Sequence, residues 1–155
     1  MQAWMFQGNP SRYDVDELLK TVKAGNGETT WRTPRFSSDI KQGAPAFIWR
    51  SAGRSGAIPG VVALARVTEE PRPMESDHQE LARDLPVAEE FRTPMEILDV
   101  RLSPEEGMLQ KALLLTNEAT RDLPVFRLTR STVYRLSAAH FEHLIDLWNR
   151  RGRRV

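Results

Sequence analysis

Two apolar runs, residues 46–51 and 58–68, stand either side of a loop that opens at Gly53 and closes at Gly56. The first holds Ala46, Phe47, Ile48 and Trp49; the second holds Val61, Val62, Ala63, Leu64, Ala65 and Val67. These residues are small, aromatic or β-branched, which suits a pleated, half-buried surface, so both runs read as strands. Gly60 within the second predicts a bulge or the close approach of another group. Residues 3–7 read as a third strand, stopped by Gly8, Asn9 and Pro10. Helices lie between and after the strands. Asp14 with Glu17 three residues on has the spacing of a capping box, and Val15, Leu18, Leu19 and Val22 give the helix that follows one apolar face. Gly25, Asn26 and Gly27 end it. Ser137 caps a last helix that buries Phe141, Leu144, Ile145 and Trp148. Short strands interleaved with helices argue for an α+β fold rather than a doubly wound parallel sheet.

The remaining segments carry weaker signals. Residues 28–31 read as extended, Thr33 and Pro34 as a bend, residues 37–41 as one helical turn and 43–45 as a turn. Pro71 and Pro73 interrupt the region after the second long strand, and residues 77–85 read as a short helix. A strand is expected over 96–102, a helix opening at Ser103 and Pro104 and continuing over 108–115, strand character over 125–128, and a final strand over 132–136. No repeat, low-complexity tract or linker divides the 155 residues, so a single domain over 1–155 is expected.

Composition limits what such a domain does. Cysteine is absent, which removes disulfides, thiolate metal sites and a cysteine nucleophile together. No apolar run approaches the roughly 20 residues of a membrane helix, and the first residues lack a signal-peptide pattern, so a cytoplasmic protein without a membrane partner is expected. The net charge is only +1, but Arg32, Arg35, Lys41, Arg50, Arg54 and Arg66 face a single acid, Asp39, over residues 32–66. A local patch of this kind attracts phosphates even when the total charge is near zero, although a solvated surface has the same composition.

Motifs for catalysis are missing. There is no phosphate-binding GxxxxGK[ST] or GxGxxG, and in Gly53-Arg54-Ser55-Gly56 the second glycine comes one position too early for a nucleophile elbow. His140 and His143 sit three apart on the last helix, but a metal site needs three or four convergent ligands, and a surface pair is the plainer reading. These absences point to binding, with no cofactor.

Tryptophan placement is more specific. Trp31 precedes a proline turn, and Trp49 precedes Arg50-Ser51-Ala52-Gly53. A planar base can slip between two such rings, with stacking worth about 1–3 kcal/mol per base. Asn9 supplies an amide and Ser51 a hydroxyl that can read a base edge. Burial in the core is the competing role for both rings.

The order of these motifs resembles the EVE family of the PUA-like superfamily. The aromatic strand followed by Gly8-Asn9-Pro10 and Tyr13-Asp14 is similar to the family's opening. Thr30-Trp31-Arg32-Thr33 and Ile40-Lys41-Gln42-Gly43 resemble its tryptophan segment and turn, and Phe47-Ile48-Trp49-Arg50-Ser51 with Ile58-Pro59-Gly60-Val61 resembles its strand pair. Likeness is strong over 1–71, loose over 72–131, and returns at 132–148. Ala44 departs from the family's usual Asp after the turn glycine. The resemblance implies a PUA-like twisted β-barrel of about five to six strands surrounded by short helices. Through the related YTH domains it also implies an aromatic pocket for a modified base of DNA or RNA. It makes Trp31 one stacking wall and Trp49 the second, Asn9 and Ser51 the polar readers, and Phe6, Thr33 and Pro34 the lining. Arg32, Arg35, Arg50 and Arg54 are then the candidates for phosphate contacts. The leading expectation is a non-catalytic reader of modified bases in flipped-out or single-stranded nucleic acid, with a nuclease or helicase as candidate partner. A binder of structured RNA without modified-base selectivity is the alternative, and a small nucleoside enzyme using His78 or a carboxylate is the third.

Overall fold

The computed structural model describes residues 1–53, 56–78, 81 and 89–152. Along them run β1 (Ala3–Gly8), α1 (Val15–Ala24), β2 (Glu28–Arg32), β3 (Pro45–Arg50), β4 (Gly60–Val67), β5 (Arg72–Met74), β6 (Glu90–Val100), β7 (Leu109–Gln110), α2 (Lys111–Thr116), β8 (Val133–Leu136) and α3 (Ala138–Gly152). The sheet path is β2-β6-β4-β3-β1-β8, with β5 added to β6 and β7 to β4. β1 and β3 are parallel, whereas β3–β4, β4–β6, β2–β6 and β1–β8 are antiparallel. The mixed sheet curls into a half-barrel with helices around it, the α+β, PUA-like architecture expected from the sequence. Register shifts at Ile48/Trp49 and Leu64/Ala65 supply curl, because a bulge bends its strand and increases the local twist.

Side-chain alternation along the strands divides the core between the two faces of the sheet. Trp4, Phe6 and Ile48 pack with Val15, Leu18, Leu19 and Val22 of α1. Met5, Phe47, Trp49 and Val61 pack with Leu144 and Trp148 of α3. Both helices start as their sequences predict: the Asp14 carboxylate accepts from the Glu17 amide at 3.1 Å, and the Ser137 hydroxyl accepts from the His140 amide at 3.0 Å. Gly60 is where another backbone comes close, since a Cβ there would lie 2.3 Å from the Leu109 carbonyl oxygen of β7.

Several local expectations are corrected. Residues 104–106 make only a single 3-10 turn, closed by Gly107 at φ 102°; β7 follows, and α2 starts as late as Lys111. Pro124–Phe126 is also a 3-10 turn, not a strand, with Val125 buried and Phe126 placing its ring edge-on to Trp49 at 5.6 Å. β6 starts six residues before the expected 96. Pro94 does not break it: on one edge it pairs with Thr30 of β2, and on the other it falls in the gap between the pairing with β5, which ends at Arg92, and the pairing with β4, which begins at the Val67–Met95 pair. Most of the helix expected over 77–85 lies outside the described residues.

Candidate functional site

β2 ends at Arg32, and the chain turns through Thr33, Pro34 and Arg35. Thr33 fixes this turn from inside: its amide donates to the Phe91 carbonyl at 2.8 Å, and its hydroxyl donates to the Trp31 carbonyl at 2.8 Å and pairs with the Thr93 hydroxyl. Arg32, Pro34 and Arg35 are left exposed. Opposite them runs the segment from Arg127 through Leu128, Thr129, Arg130 and Ser131 to Thr132, and between the two lies an open groove of about 520 Å³. β2 and β8 are the two ends of the sheet path. The groove is therefore the seam along which the curled sheet fails to close.

Four arginines line this seam, and Pro34 and Leu128 set an apolar strip among them. Arg32 shares the Glu90 carboxylate at 3.1 Å with the better buried Arg92 at 2.7 Å. The Arg35 guanidinium lies 4.9 Å from the centroid of the Phe36 ring, and Phe36 holds an unusual φ of 64°. Among the described residues neither Arg127 nor Arg130 forms an ion pair. Leu128 is 56% exposed, a large apolar side chain left open between cations.

The 127–132 segment is anchored from the sheet side. The Gln7 side-chain amide donates to the carbonyls of Thr129 at 2.9 Å and Ser131 at 2.6 Å, and the Gln7 backbone amide donates to the Thr132 carbonyl at 2.7 Å. The Tyr134 hydroxyl donates to the Leu128 carbonyl. Burial pushes the Tyr134 phenol up to about 12. Burial also raises Tyr13, against the positive charge of Arg92. The hydrogen bond from His140 is the main cause that lowers the Asp122 carboxyl.

The structure separates residues that the sequence grouped. Trp31 and Trp49 are 2% and 3% exposed and belong to the clusters on opposite faces of the sheet, so they are not two walls of one slot. Trp31 donates its indole N–H to the Gln7 carbonyl at 3.1 Å and packs edge-on to Tyr13, while Trp49 packs on Phe126. Phe6 and Thr33 are buried. Arg50 is corrected from a phosphate contact to a buried strut: it pairs with Asp16 at 2.9 Å and donates to the carbonyls of Ile58 at 2.7 Å and Leu102 at 3.0 Å. Asn9 uses its side-chain oxygen to accept from the Ser11 amide, and Ser51 donates its amide to the Gly8 carbonyl; both lie at the ends of β1 and β3 and neither lines the groove. Arg32, Pro34 and Arg35 are the expected site residues that share the groove. Arg54 lies outside the described residues. Sequence reading missed Arg127 and Arg130, whose spacing of three between apolar runs was the available signal. Among the described residues no group of three or more His, Asp or Glu side chains is placed to hold a metal ion, and no helix is long and apolar enough to cross a membrane.

Comparison with known proteins gives a consistent result. The sequence model of the EVE domain matches residues 2–147. No curated protein matches this chain. Among solved structures, Rpa0253 from Rhodopseudomonas palustris superposes with a TM-score of 0.66 at 15% identity, covering 96% of this chain and 94% of that one. The human THYN1 protein, in complex with 5-methylcytosine-containing DNA, has a TM-score of 0.65 at 17% identity, covering 96% and 98%. The YTH domain of the Zygosaccharomyces rouxii MRB1 protein, in complex with N6-methyladenosine RNA, has a TM-score of 0.52 at 12% identity, covering 94% and 86%.

Proposed function

The chain belongs to the EVE domain family, and from that premise we propose that it is a non-catalytic module that binds nucleic acid through a modified base. The observation that carries this reading is the seam groove, where four arginines surround an apolar strip of Pro34 and Leu128. Cations on both walls of an open channel suit a strand that lies within it, a single strand or an extruded nucleotide, with the phosphates against guanidinium groups. The base then rests on the apolar strip. Two structural neighbours were solved with a modified base, 5-methylcytosine in one and N6-methyladenosine in the other, which supports the same ligand class here. Trp31 acts from behind, by fixing the turn that carries Arg32, Pro34 and Arg35. A methyl group adds mainly apolar area, about 0.8 kcal/mol, so discrimination is modest, about 1–3 kcal/mol at most.

The test titrates labelled single-stranded DNA, with one 5-methylcytosine or with cytosine, against the wild type and an Arg127→Ala/Arg130→Ala variant. The expected result is tighter binding of the modified strand by about fivefold, with the slope of log K on log salt near −2 to −3 and flattened by about 1.4 in the variant. Equal, weak binding of every strand by both proteins overturns the reading. Tight binding without preference for the modified base, still lost in the variant, would favour the alternative without modified-base selectivity, which strong binding to structured RNA would then support.

A further inference from the structure

We propose that Gln7 is a positioning residue for this site: it turns the carbonyls of the 127–132 loop inward, so that the loop meets an anion with Arg127 and Arg130 rather than with its own oxygens. The inference rests on the groove reading above and adds a residue that does not touch the ligand. A loop that binds phosphate has to hide its carbonyl oxygens, which carry partial negative charge. Here four carbonyls of the loop are taken up from the sheet side. Those of Thr129 and Ser131 accept from the Gln7 side chain, that of Thr132 from the Gln7 backbone, and that of Leu128 from the Tyr134 hydroxyl. The Gln7 amide group has two N–H donors; the two carbonyls are its short partners, and the same nitrogen lies 3.4 Å from the Tyr134 hydroxyl. Thr129 and Ser131 flank Arg130, so holding their oxygens inward leaves the residue between them exposed in the groove.

Gln7 also fixes the other wall. Its carbonyl accepts the Trp31 indole N–H at 3.1 Å, and Trp31 directly precedes Arg32. One residue on β1 thus references both walls of the groove, and the spacing of the arginines across the seam depends on it. Ala3 to Phe6 before it are fully buried, and Gln7 is the partly exposed residue of the strand.

The experiment is a double-mutant cycle on binding to single-stranded DNA carrying one 5-methylcytosine, read by anisotropy across a salt series. Gln7→Leu keeps the bulk of the side chain and removes its donors. It is expected to weaken binding about five- to tenfold and to flatten the salt slope by about 0.7 for each phosphate the loop ceases to neutralise. In the Arg127→Ala/Arg130→Ala background it is expected to add nothing, because the groups it positions are gone. Gln7→Met, which also keeps the bulk and lacks the donors, keeps the test decisive should Gln7→Leu fail to fold, and Tyr134→Phe, which removes the hydroxyl that holds the Leu128 carbonyl, is expected to flatten the slope in the same direction. If wild type binds with a salt slope and the folded variants keep that slope, the role assigned to Gln7 is wrong while the groove stands. If wild type shows no salt-dependent binding, the groove reading falls and takes this inference with it.

Discussion

Arg50 and Arg130 carry the same guanidinium group in opposite settings. Arg50 is 3% exposed and holds Asp16 of α1 together with the carbonyls of Ile58 and Leu102. Arg130 stands open in the groove. Replacing Arg50 with Ala orphans two carbonyls and a half-exposed carboxylate. We expect a loss of about 2–4 kcal/mol in denaturant unfolding, with the salt slope of nucleic-acid binding unchanged in the folded protein. Arg130→Ala should do the reverse, leaving stability within about 0.5 kcal/mol and flattening the slope. A flattened slope in Arg50→Ala would place that residue back at the ligand. Sequence could not separate the two, because burial of an arginine depends on which helix crosses above its strand. The two tryptophans show the same limit. Turn signals beside Trp31 and Trp49 were legible, but the face each ring occupies depends on strand register and on the bulge at Ile48/Trp49. Gln7 gave no signal at all, since the partners of its side chain lie more than a hundred residues away.

Elements were legible where their signals are local. α1 and α3 announce themselves by capping residues and a one-sided apolar stripe, and β3 and β4 by β-branched runs around a glycine loop. β6 and the 3-10 turn at Pro124 were not, because pairing partners and tertiary packing decide them. The stretch leading into β8 is where this matters for the proposed site, and Tyr134 offers a handle on it. The chain has two tyrosines. Burial raises both, Tyr134 from its ordinary 10 to about 12. A phenol raised in the fold stabilises the fold in its protonated form. That contribution is complete below about pH 10 and is lost as pH climbs through about 12. Tyrosinate absorbance should therefore be almost absent at pH 10–11 while the far-ultraviolet circular dichroism stays native, and should rise together with unfolding at higher pH. A phenolate signal with its midpoint near 10 in the folded protein would mean that at least one of the two phenols is not shielded from water.

At the scale of the molecule, the proposed site exists because the sheet curls without closing. β2 and β8 end the sheet path, and residues beside both strands line the seam between them. A closed barrel would have spent these edges on hydrogen bonds; the open one leaves room for a ligand and two rows of cations. Because the net charge is only +1, the proposed function assigns the attraction for phosphate to this seam and not to the protein as a whole. Two triple variants separate those sources. Replacing Arg35, Arg127 and Arg130 by Ala lowers the formal charge from +1 to −2, and so does replacing Arg66, Arg72 and Arg150, which sit in surface ion pairs with Glu96, Glu69 and Asp146. With three or four phosphates neutralised, binding of a single strand by the wild type should fall about 20- to 50-fold between 50 and 200 mM salt. The surface triple should keep that dependence with a small loss of affinity from the weaker long-range field. The seam triple should lose nearly all of it. Equal losses in the two proteins would show that net charge, and not the geometry of the unclosed sheet, accounts for the binding.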